Sequence, residues 1–384
     1  MRASGLSKVF GARPTSALRR ARAGEPGTGD ATVAVLDASF EVLSGELFVV
    51  MGLSGSGKST LIRMLNGLLT PTEGRVLVGS EDVTALRGRA LRELRQRRMS
   101  MVFQHFALLP HRSVLDNVEY GPRIQRLPPR QVAQRAAEAL ELVGLTGWER
   151  RYPRQLSGGM RQRVGLARAL AAGTEVLLMD EAFSALDPLI KREVQDQLVR
   201  LQAELGKTIV FITHDLDEAV RLGDRIAVMR EGRIVQLGTP SEIVRRPADD
   251  YVARFVRNVD RSRVLTAAAV AEPVLSAEAD CAPERALRLL REGGADRLVV
   301  VDRERRPLGV LGLAAAERAG SAAGIAELAA ALPAPVAGHR TLRELLTEVR
   351  PATPVLDDAG GLIGVLEPEA VLRALAGRAE AGDG

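Results

Sequence analysis

Gly52-Leu-Ser54-Gly55-Ser56-Gly57-Lys58-Ser59 is the segment of this 384-residue chain best equipped for chemistry. It fits G-x-x-x-x-G-K-[ST] and stands between an apolar run, Glu46-Leu-Phe-Val-Val-Met51, and a helical pattern from Ser59 to about Gly67. Glycines let a backbone curl until its N–H groups converge on phosphate oxygens, and the start of the next helix adds partial positive charge. Lys58 is placed to reach β- and γ-phosphates, and the Ser59 hydroxyl to ligate Mg²⁺. The plain alternative is a chance glycine-rich loop. The strand before it and the helix after it argue against that.

Two further segments carry chemistry. Val176-Leu-Leu-Met-Asp180-Glu181 is an apolar strand ending in two acids. Asp180 is placed to support Mg²⁺ through water, and Glu181 to polarise an attacking water as general base. Alone, such a strand end is a solvated acidic turn; downstream of a phosphate loop it reads as catalytic. In Leu156-Ser157-Gly158-Gly159-Met-Arg-Gln-Arg163, a serine and paired glycines open a helix and make a second phosphate nest. The alternative there is an ordinary cap on a basic helix.

These residues need a parallel sheet to hold them. The apolar runs Glu175–Asp180 and Thr208–Thr213 flank a helical pattern from about Pro188 to Leu205, and strand, helix, strand of this kind implies parallel pairing. Residues 1–10 read as a short strand and 33–45 as a strand and turn. Leu86–Arg98 reads as a charged helix, and 112–172 as mostly helical with breaks at Pro128-Pro129 and Tyr152-Pro153. A closing hairpin is expected over 225–237, with its turn at Glu231-Gly232. Residues 11–31, rich in Gly, Pro, Arg and Thr without periodicity, read as a flexible insertion. His105 and His111 read as loop or surface residues.

After about Asp260 the chain repeats itself. Val299-Val-Val-Asp302 leads to Leu308-Gly-Val-Leu311, and Pro354-Val-Leu-Asp357 leads to Ile363-Gly-Val-Leu366, 55 residues later. A helical pattern precedes each, Pro283–Glu292 and Thr341–Val349, and another follows. Two packed copies of one α/β unit are expected.

Composition narrows the classes. The net charge of +5 rests almost wholly on arginine, with lysine only at 8, 58, 191 and 207, and acids are interspersed on the same helices. Such an arginine bias reflects a GC-rich genome more often than a binding patch, and no nucleic-acid partner is expected. A single cysteine, Cys281, excludes an intramolecular disulfide. No run approaches the length of a membrane-spanning helix, and the N-terminus lacks a signal-peptide core. A membrane role therefore requires a partner.

The segment Leu156–Arg163 strongly resembles the signature sequence of ABC ATPases, and the other family pieces stand in order. Gln104 in Met101-Val-Phe-Gln104 matches the Q-loop glutamine, Ser184-Ala-Leu-Asp187 the D-loop, and His214 in Ile212-Thr-His214-Asp the switch histidine. The resemblance implies roles. Gln104 reaches Mg²⁺ and the attacking water, and the loop after it touches a permease. His214 contacts the γ-phosphate, and Asp187 lies at a dimer interface. It also implies a head-to-tail homodimer, each ATP lying between Gly52–Thr60 of one chain and Ser157–Gly159 of the other. Leu6-Ser-Lys-Val-Phe10 resembles the segment whose aromatic stacks on adenine, and simple core packing is the alternative for Phe10.

The runs Val50–Thr60, Met101–His111, Asp180–Ile190 and Phe211–Ala219 are closely similar to the ATPase subunits of glycine betaine/proline (quaternary amine) importers. The terminal repeat resembles a tandem CBS pair. The fold implied is α/β: a P-loop NTPase ABC ATPase domain with a RecA-like core, an antiparallel β subdomain and a helical subdomain, followed by a tandem CBS pair. The implied boundaries are 1–260 for the ATPase, 264–320 and 325–380 for the CBS domains. The implied function is ATP-driven import of glycine betaine, proline or a related osmoprotectant. The subunit would work on the cytoplasmic face of the inner membrane, with permease subunits and a periplasmic or lipid-anchored binding protein. Another small amine or amino acid as cargo stays open. A DNA-repair or translation ABC protein would show long coiled coils or two cassettes, which are absent here. A purely regulatory nucleotide sensor would not need Glu181 and His214.

Overall fold

The computed structural model describes residues 1–25, 30–104, 106–184, 186–257, 259–318 and 324–376. His105, Ala185 and the C-terminal tail from 377 lie outside the described residues. The chain divides into two compact units, Met1–Ile243 with Pro247–Val256, and Val244–Arg246 with Arg257–Gly384.

The first unit opens with β1 (Arg2–Phe10), α1 (Pro14–Arg22), β2 (Thr32–Glu41), β3 (Leu47–Met51), α2 (Lys58–Leu65), β4 (Glu73–Val78), β5 (Glu81–Asp82), α3 (Gly88–Arg98) and β6 (Met99–Val102). A helical stretch follows: α4 (Val114–Val118), α5 (Tyr120–Ile124), α6 (Pro129–Leu142) and α7 (Gly158–Ala171). The chain then returns to the sheet through β7 (Val176–Asp180), α8 (Pro188–Leu205), β8 (Thr208–Thr213), α9 (Leu216–Leu222), β9 (Arg225–Arg230) and β10 (Arg233–Gly238), before α10 (Pro240–Arg245) and α11 (Asp250–Val256).

Two sheets result. The larger has the order β10-β9-β3-β8-β7-β6, parallel except for the β9–β10 hairpin. Its central strands read Leu-Phe-Val-Val-Met, Val-Leu-Leu-Met-Asp and Thr-Ile-Val-Phe-Ile-Thr, and every residue in them is buried. Continuous apolar strands of this kind are those covered on both faces. The smaller sheet, β2-β1-β4-β5, is antiparallel. Leu6 and Val76 from it, Phe48, Val50 and Ile212 from the larger sheet, and Leu61, Ile62 and Leu65 from α2 form one core. The β9–β10 turn sits at Glu231-Gly232, both with positive φ (50° and 81°), the geometry of a tight hairpin. The helices α4, α5 and α6 pack around α7. Asn117, fully buried, binds the backbone of Leu109, Arg112 and Ser113 and so fixes the chain leading into α4.

One expectation fails here. Residues 14–22 form a helix rather than a flexible insertion, because Ala17 and Leu18 bury against Val9, Ala31 and Leu36. Arg22 ties it down through Asp37 (2.6 Å) and Glu73 (2.8 Å).

The second unit contains α12 (Ala267–Val270), β11 (Ser276–Glu278), α13 (Pro283–Glu292), β12 (Arg297–Val301), β13 (Pro307–Gly312), α14 (Leu313–Arg318), α15 (Ile325–Leu328), β14 (Val336–Ala337), α16 (Leu342–Leu345), β15 (Thr353–Leu356), β16 (Leu362–Leu366) and α17 (Pro368–Ala376). The repeat is visible in the pairing. β11 is parallel to β12 and β12 antiparallel to β13, with Val300 opposite Gly309. β14, β15 and β16 repeat this, with Val355 opposite Gly364. Val299 and Val301 of the first copy pack with Leu362 and Val365 of the second. The helix expected over Thr341–Val349 is only the turn Leu342–Leu345, capped by Thr341 and Glu344. Past Leu345 the winding tightens, the Glu348 N–H donating to the Leu345 carbonyl at 2.8 Å in the i→i+3 pattern, and Pro351 then disfavours a helical Arg350.

Candidate active site

The parallel register brings the catalytic candidates to one edge. Met51 pairs with Thr213 and Asp180 with Ile212, so the strand ends leading to Gly52, Glu181 and His214 lie side by side. Ligand sites of open α/β sheets lie at the carboxyl ends of the strands.

The phosphate loop is built by close backbone approach. A Cβ on Gly52 would stand 2.2 Å from the Met229 carbonyl oxygen, and one on Gly57, at φ 101°, 2.2 Å from that of Ala34. Ser54 and Gly55 are exposed at the loop's crest, and Thr60 lies in the first turn of α2. The Ser56 hydroxyl is buried and has no hydrogen-bond partner. Lys58 is 4% exposed; its Nζ donates to the carbonyls of Gly52 (2.8 Å) and Leu53 (3.0 Å) and lies 4.0 Å from Glu181. Burial pushes its pKa down, against the pull of Glu181 and Asp180. A buried cation and an orphaned buried hydroxyl in one cradle fit an anion with several oxygens.

Beside it, Ser59 Oγ donates to Asp180 Oδ1 at 3.0 Å. Asp180 is 3% exposed, and burial pushes its carboxyl above the ordinary range. Gln104 Nε2 donates to Glu181 Oε2 at 3.3 Å, and His214 Nδ1 lies 3.3 Å from the same oxygen. The nearby donors are hard oxygens, the serine hydroxyl, a carboxylate and an amide. They suit Mg²⁺, which takes few protein ligands and completes its shell with phosphate and water. Among the described residues no cluster of three His, Cys, Asp or Glu could cage a metal.

Glu181 itself is strained. Its φ is 45°, a region costing a non-glycine residue of order 1–3 kcal/mol, and its N–H is held by the Ile212 carbonyl at 3.1 Å. Strain of this kind clusters where a side chain must be aimed.

The remaining candidates lie apart from this group. Ser157 caps α7, accepting from the Met160 N–H at 3.3 Å, with Gly158 and Gly159 as the first helical residues. Among the described residues, no hydrogen bond joins Ser157–Gly159 to the phosphate loop. Asp187 caps α8, accepting from Leu189 and Ile190 N–H at 3.1 Å each. Phe10 ends β1 and is 43% exposed, with Lys8 Nζ 5.3 Å from its ring centroid. That exposure rules out core packing. His111 is exposed in a turn.

Sequence reasoning missed the groups that brace the site. Lys191 of α8 binds Asp215 (2.7 Å) and Glu218 (2.9 Å). Glu218 also takes Thr213 Oγ1 and Gln195 Nε2, so the turn carrying His214 is tied to two helices. Tyr251 Oη accepts from the Leu53 N–H at 3.4 Å and donates to the Met229 carbonyl at 3.3 Å, backing the phosphate loop. Asp215 two residues before Asp217-Glu218 is a readable helix cap; Tyr251 leaves no local signal.

Comparison with known proteins places the chain in a family. A family profile described as ABC transporter matches residues 35–184. The glycine betaine transport ATP-binding protein OpuAA of Bacillus subtilis (strain 168) is 45% identical over 385 residues, covering 98% of this chain and 92% of that protein. The glycine betaine/carnitine transport ATP-binding protein GbuA of Listeria monocytogenes is 45% identical over 384 residues, covering 97% and 96%. Among solved structures, the dimeric post-hydrolysis state of the ATP-binding cassette MJ0796 bound to ADP and Pi matches with a TM-score of 0.55 at 30% identity, covering 62% of this chain and 97% of that one. With near-full-length matches at this identity, the chain belongs to the ABC transporter family, among the ATP-binding proteins of glycine betaine transport.

Proposed function

We propose that this chain hydrolyses ATP to drive uptake of glycine betaine, proline betaine or a related quaternary amine through a separate membrane permease. The observation that carries the reading is the convergence of Lys58, Ser59, Gln104, Asp180, Glu181 and His214 at one sheet edge. Similarity to betaine transport proteins along nearly the whole chain supports the cargo. No helix among the described residues is long and apolar enough to cross a membrane.

In this reading, the N–H groups of Gly52–Thr60 wrap the phosphates and Lys58 neutralises the β- and γ-oxygens. Ser59, Asp180 and Gln104 would hold Mg²⁺, which would supply positive charge against the negative charge that develops on the phosphate. Glu181 accepts the proton of the attacking water, while Gln104 and His214 hold its carboxylate in place. His214 then turns to the γ-phosphate. Phe10 offers an open ring face to adenine. Ser157–Gly159 of a second copy closes the phosphate site from the other side, and Asp187 lies at that junction. Catalysis is positioning and charge stabilisation throughout.

The permease docks at the loop after Gln104, beside a cavity of about 350 Å³ lined in part by Phe103, Tyr120, Ile124 and Gln125. The ATPase pair works on the cytoplasmic face of the membrane, and a separate binding protein delivers the cargo outside. Residues 1–260 form the ATPase domain, and 264–320 with 325–380 form a CBS pair that restrains transport until the cell is osmotically stressed. The repeated register of the second unit supports a pair of like α/β domains, and the restraint rests on the resemblance alone.

The test is uptake. This chain is reconstituted with its permease and binding protein in liposomes carrying internal MgATP, and glycine betaine entry is followed beside a Glu181→Gln control. Uptake that the control abolishes is expected. Hydrolysis without betaine entry overturns the cargo and sends the screen to other small amines. Removal of residues 264–378 should abolish dependence on internal salt or nucleotide; an unchanged dependence removes the regulatory role.

A further inference from the structure

The segment after Gln104 is held in a conformation its own residues disfavour. Phe106 and Ala107 have φ of 61° and 46°. In that left-handed region a Cβ crowds the neighbouring peptide, and two successive non-glycine residues there require support from outside. The support comes from α7. Arg168 donates from Nη1 to the Ala107 carbonyl at 2.7 Å and from Nη2 to the Phe106 carbonyl at 3.1 Å. One rigid guanidinium thus bridges successive carbonyl oxygens, a geometry suited to its fixed fork. Arg161, earlier on the same helix, stands 5.5 Å from the Phe106 ring centroid. At Gly165 the helix backbone passes so near that a Cβ would lie 3.6 Å from the Phe106 carbonyl oxygen.

Arg168 has no carboxylate partner among the ion pairs of the described residues, and burial pushes its pKa down. A half-buried, unpaired arginine is costly to retain for packing alone. Its two carbonyls lead back to the catalytic group. The Phe106 N–H donates to the Phe103 carbonyl at 3.1 Å, closing a turn about Gln104, and Gln104 Nε2 reaches Glu181 at 3.3 Å. A change of backbone at 106–107 turns that loop and carries the amide away from the carboxylate.

We propose that Arg168 is a positioning residue for ATP hydrolysis, clamping the left-handed Phe106–Ala107 backbone so that Gln104 stays against Glu181. The proposal rests on the roles given above to Gln104 and Glu181.

Steady-state hydrolysis of MgATP by the full chain, assembled with its permease, tests it. Arg168→Gln is expected to lower kcat about ten-fold and leave KM for ATP within about two-fold, the pattern of a lost transition-state interaction. Arg168→Lys, with one ammonium for two carbonyls, falls between. Glycine adopts positive φ without the Cβ penalty, so Ala107→Gly should restore most of the kcat lost in Arg168→Lys. In a Gln104→Ala background, Arg168→Gln should add no further loss. An unchanged kcat in Arg168→Gln overturns the proposal. So does an Ala107→Gly rescue that raises the melting temperature without restoring kcat. If Arg168→Gln does not fold, Arg168→Lys carries the same comparisons. Full additivity with an impaired Gln104→Ala sinks the clamp alone. A Gln104→Ala enzyme of unchanged kcat sinks the assigned role of Gln104 and the clamp with it.

Discussion

Asp180 ends an apolar strand at 3% exposure, with Ser59 Oγ its one side-chain donor among the described residues, and burial holds its carboxyl above the ordinary carboxylate range. The folded chain therefore binds that proton better than the unfolded chain does. Stability contributed by the protonated form is present at low pH and lost as pH rises through the raised folded value, so at neutral pH the ionised group is a cost. Asp180→Asn keeps the acceptor for Ser59 and removes the charge. It should stabilise the nucleotide-free chain by about 1 kcal/mol, the usual exchange of function for stability, while hydrolysis is lost. Thermal unfolding followed upward from the ordinary carboxylate range, about pH 4, to pH 8 checks this: the variant's curve should be flatter, and an unchanged pH slope removes the argument. Glu181→Gln is the complementary case. It keeps the size and most hydrogen bonds of the side chain on this strained backbone but removes the base, so kcat should fall at least about 10²-fold while ATP still binds. Equal losses in binding and turnover would point to a structural role instead. Both acids were legible from sequence because they terminate an apolar strand downstream of a phosphate loop. Their braces were not. Lys191, Gln195 and Glu218 come from two different helices, and no local pattern announces that they meet beneath His214.

At the scale of elements, legibility followed burial. The strands β3, β7 and β8 are covered on both faces, and their unbroken apolar runs show it directly. The 55-residue repeat was legible because its turns and glycines recur in register. Helix α1 was not. Its nine residues carry only Ala17, Leu18 and Ala21 as apolar anchors among arginines, too short a stretch for a period to emerge. What folds it is tertiary, a small satellite core with Val9, Ala31 and Leu36 and the ion pairs of Arg22. Leu18 is fully buried there, so Leu18→Ala should cost about 2–4 kcal/mol locally. Because this core is separate from the main one, the helix should open by itself rather than unfold the unit. Trypsin cleavage after Arg19, Arg20 or Arg22 should accelerate at least about ten-fold, while the main melting transition moves little. Cleavage at the wild-type rate would show that α1 is held by something other than its buried leucine.

The whole molecule poses a problem that one chain does not solve. Lys58, Ser59 and the acids gather at one sheet edge, yet no hydrogen bond among the described residues joins them to Ser157–Gly159, which opens the helix α7 of a different region. A serine–glycine helix start that joins no other site residue among the described residues makes sense as a phosphate nest if it serves another chain. The MJ0796 cassette, similar over 97% of its length, was solved as a dimer with ADP and Pi. If this chain pairs in the same way, each site would take its phosphate loop from one copy and its serine–glycine nest from the other, and this is the arrangement we propose. Complementation separates this arrangement from a self-sufficient chain. Lys58→Ala destroys the phosphate loop, and Ser157→Arg blocks the nest. Each variant alone should be inactive. Mixed at equal ratio with the permease, half of the random dimers pair the two variants. In each of those, one site combines an intact phosphate loop with an intact nest, while the other loses both. Hydrolysis should therefore return to about a quarter of wild type if the sites turn over independently, and lower if they cooperate. A chain carrying both substitutions, mixed with neither, should recover nothing. If the mixed variants stay as inactive as their parents while pulldown proves that they pair, either each chain completes its own site or a single composite site cannot turn over. Measuring ATP retention in the mixed dimer decides between these, since a composite site still traps one nucleotide and a self-sufficient chain with either lesion traps none.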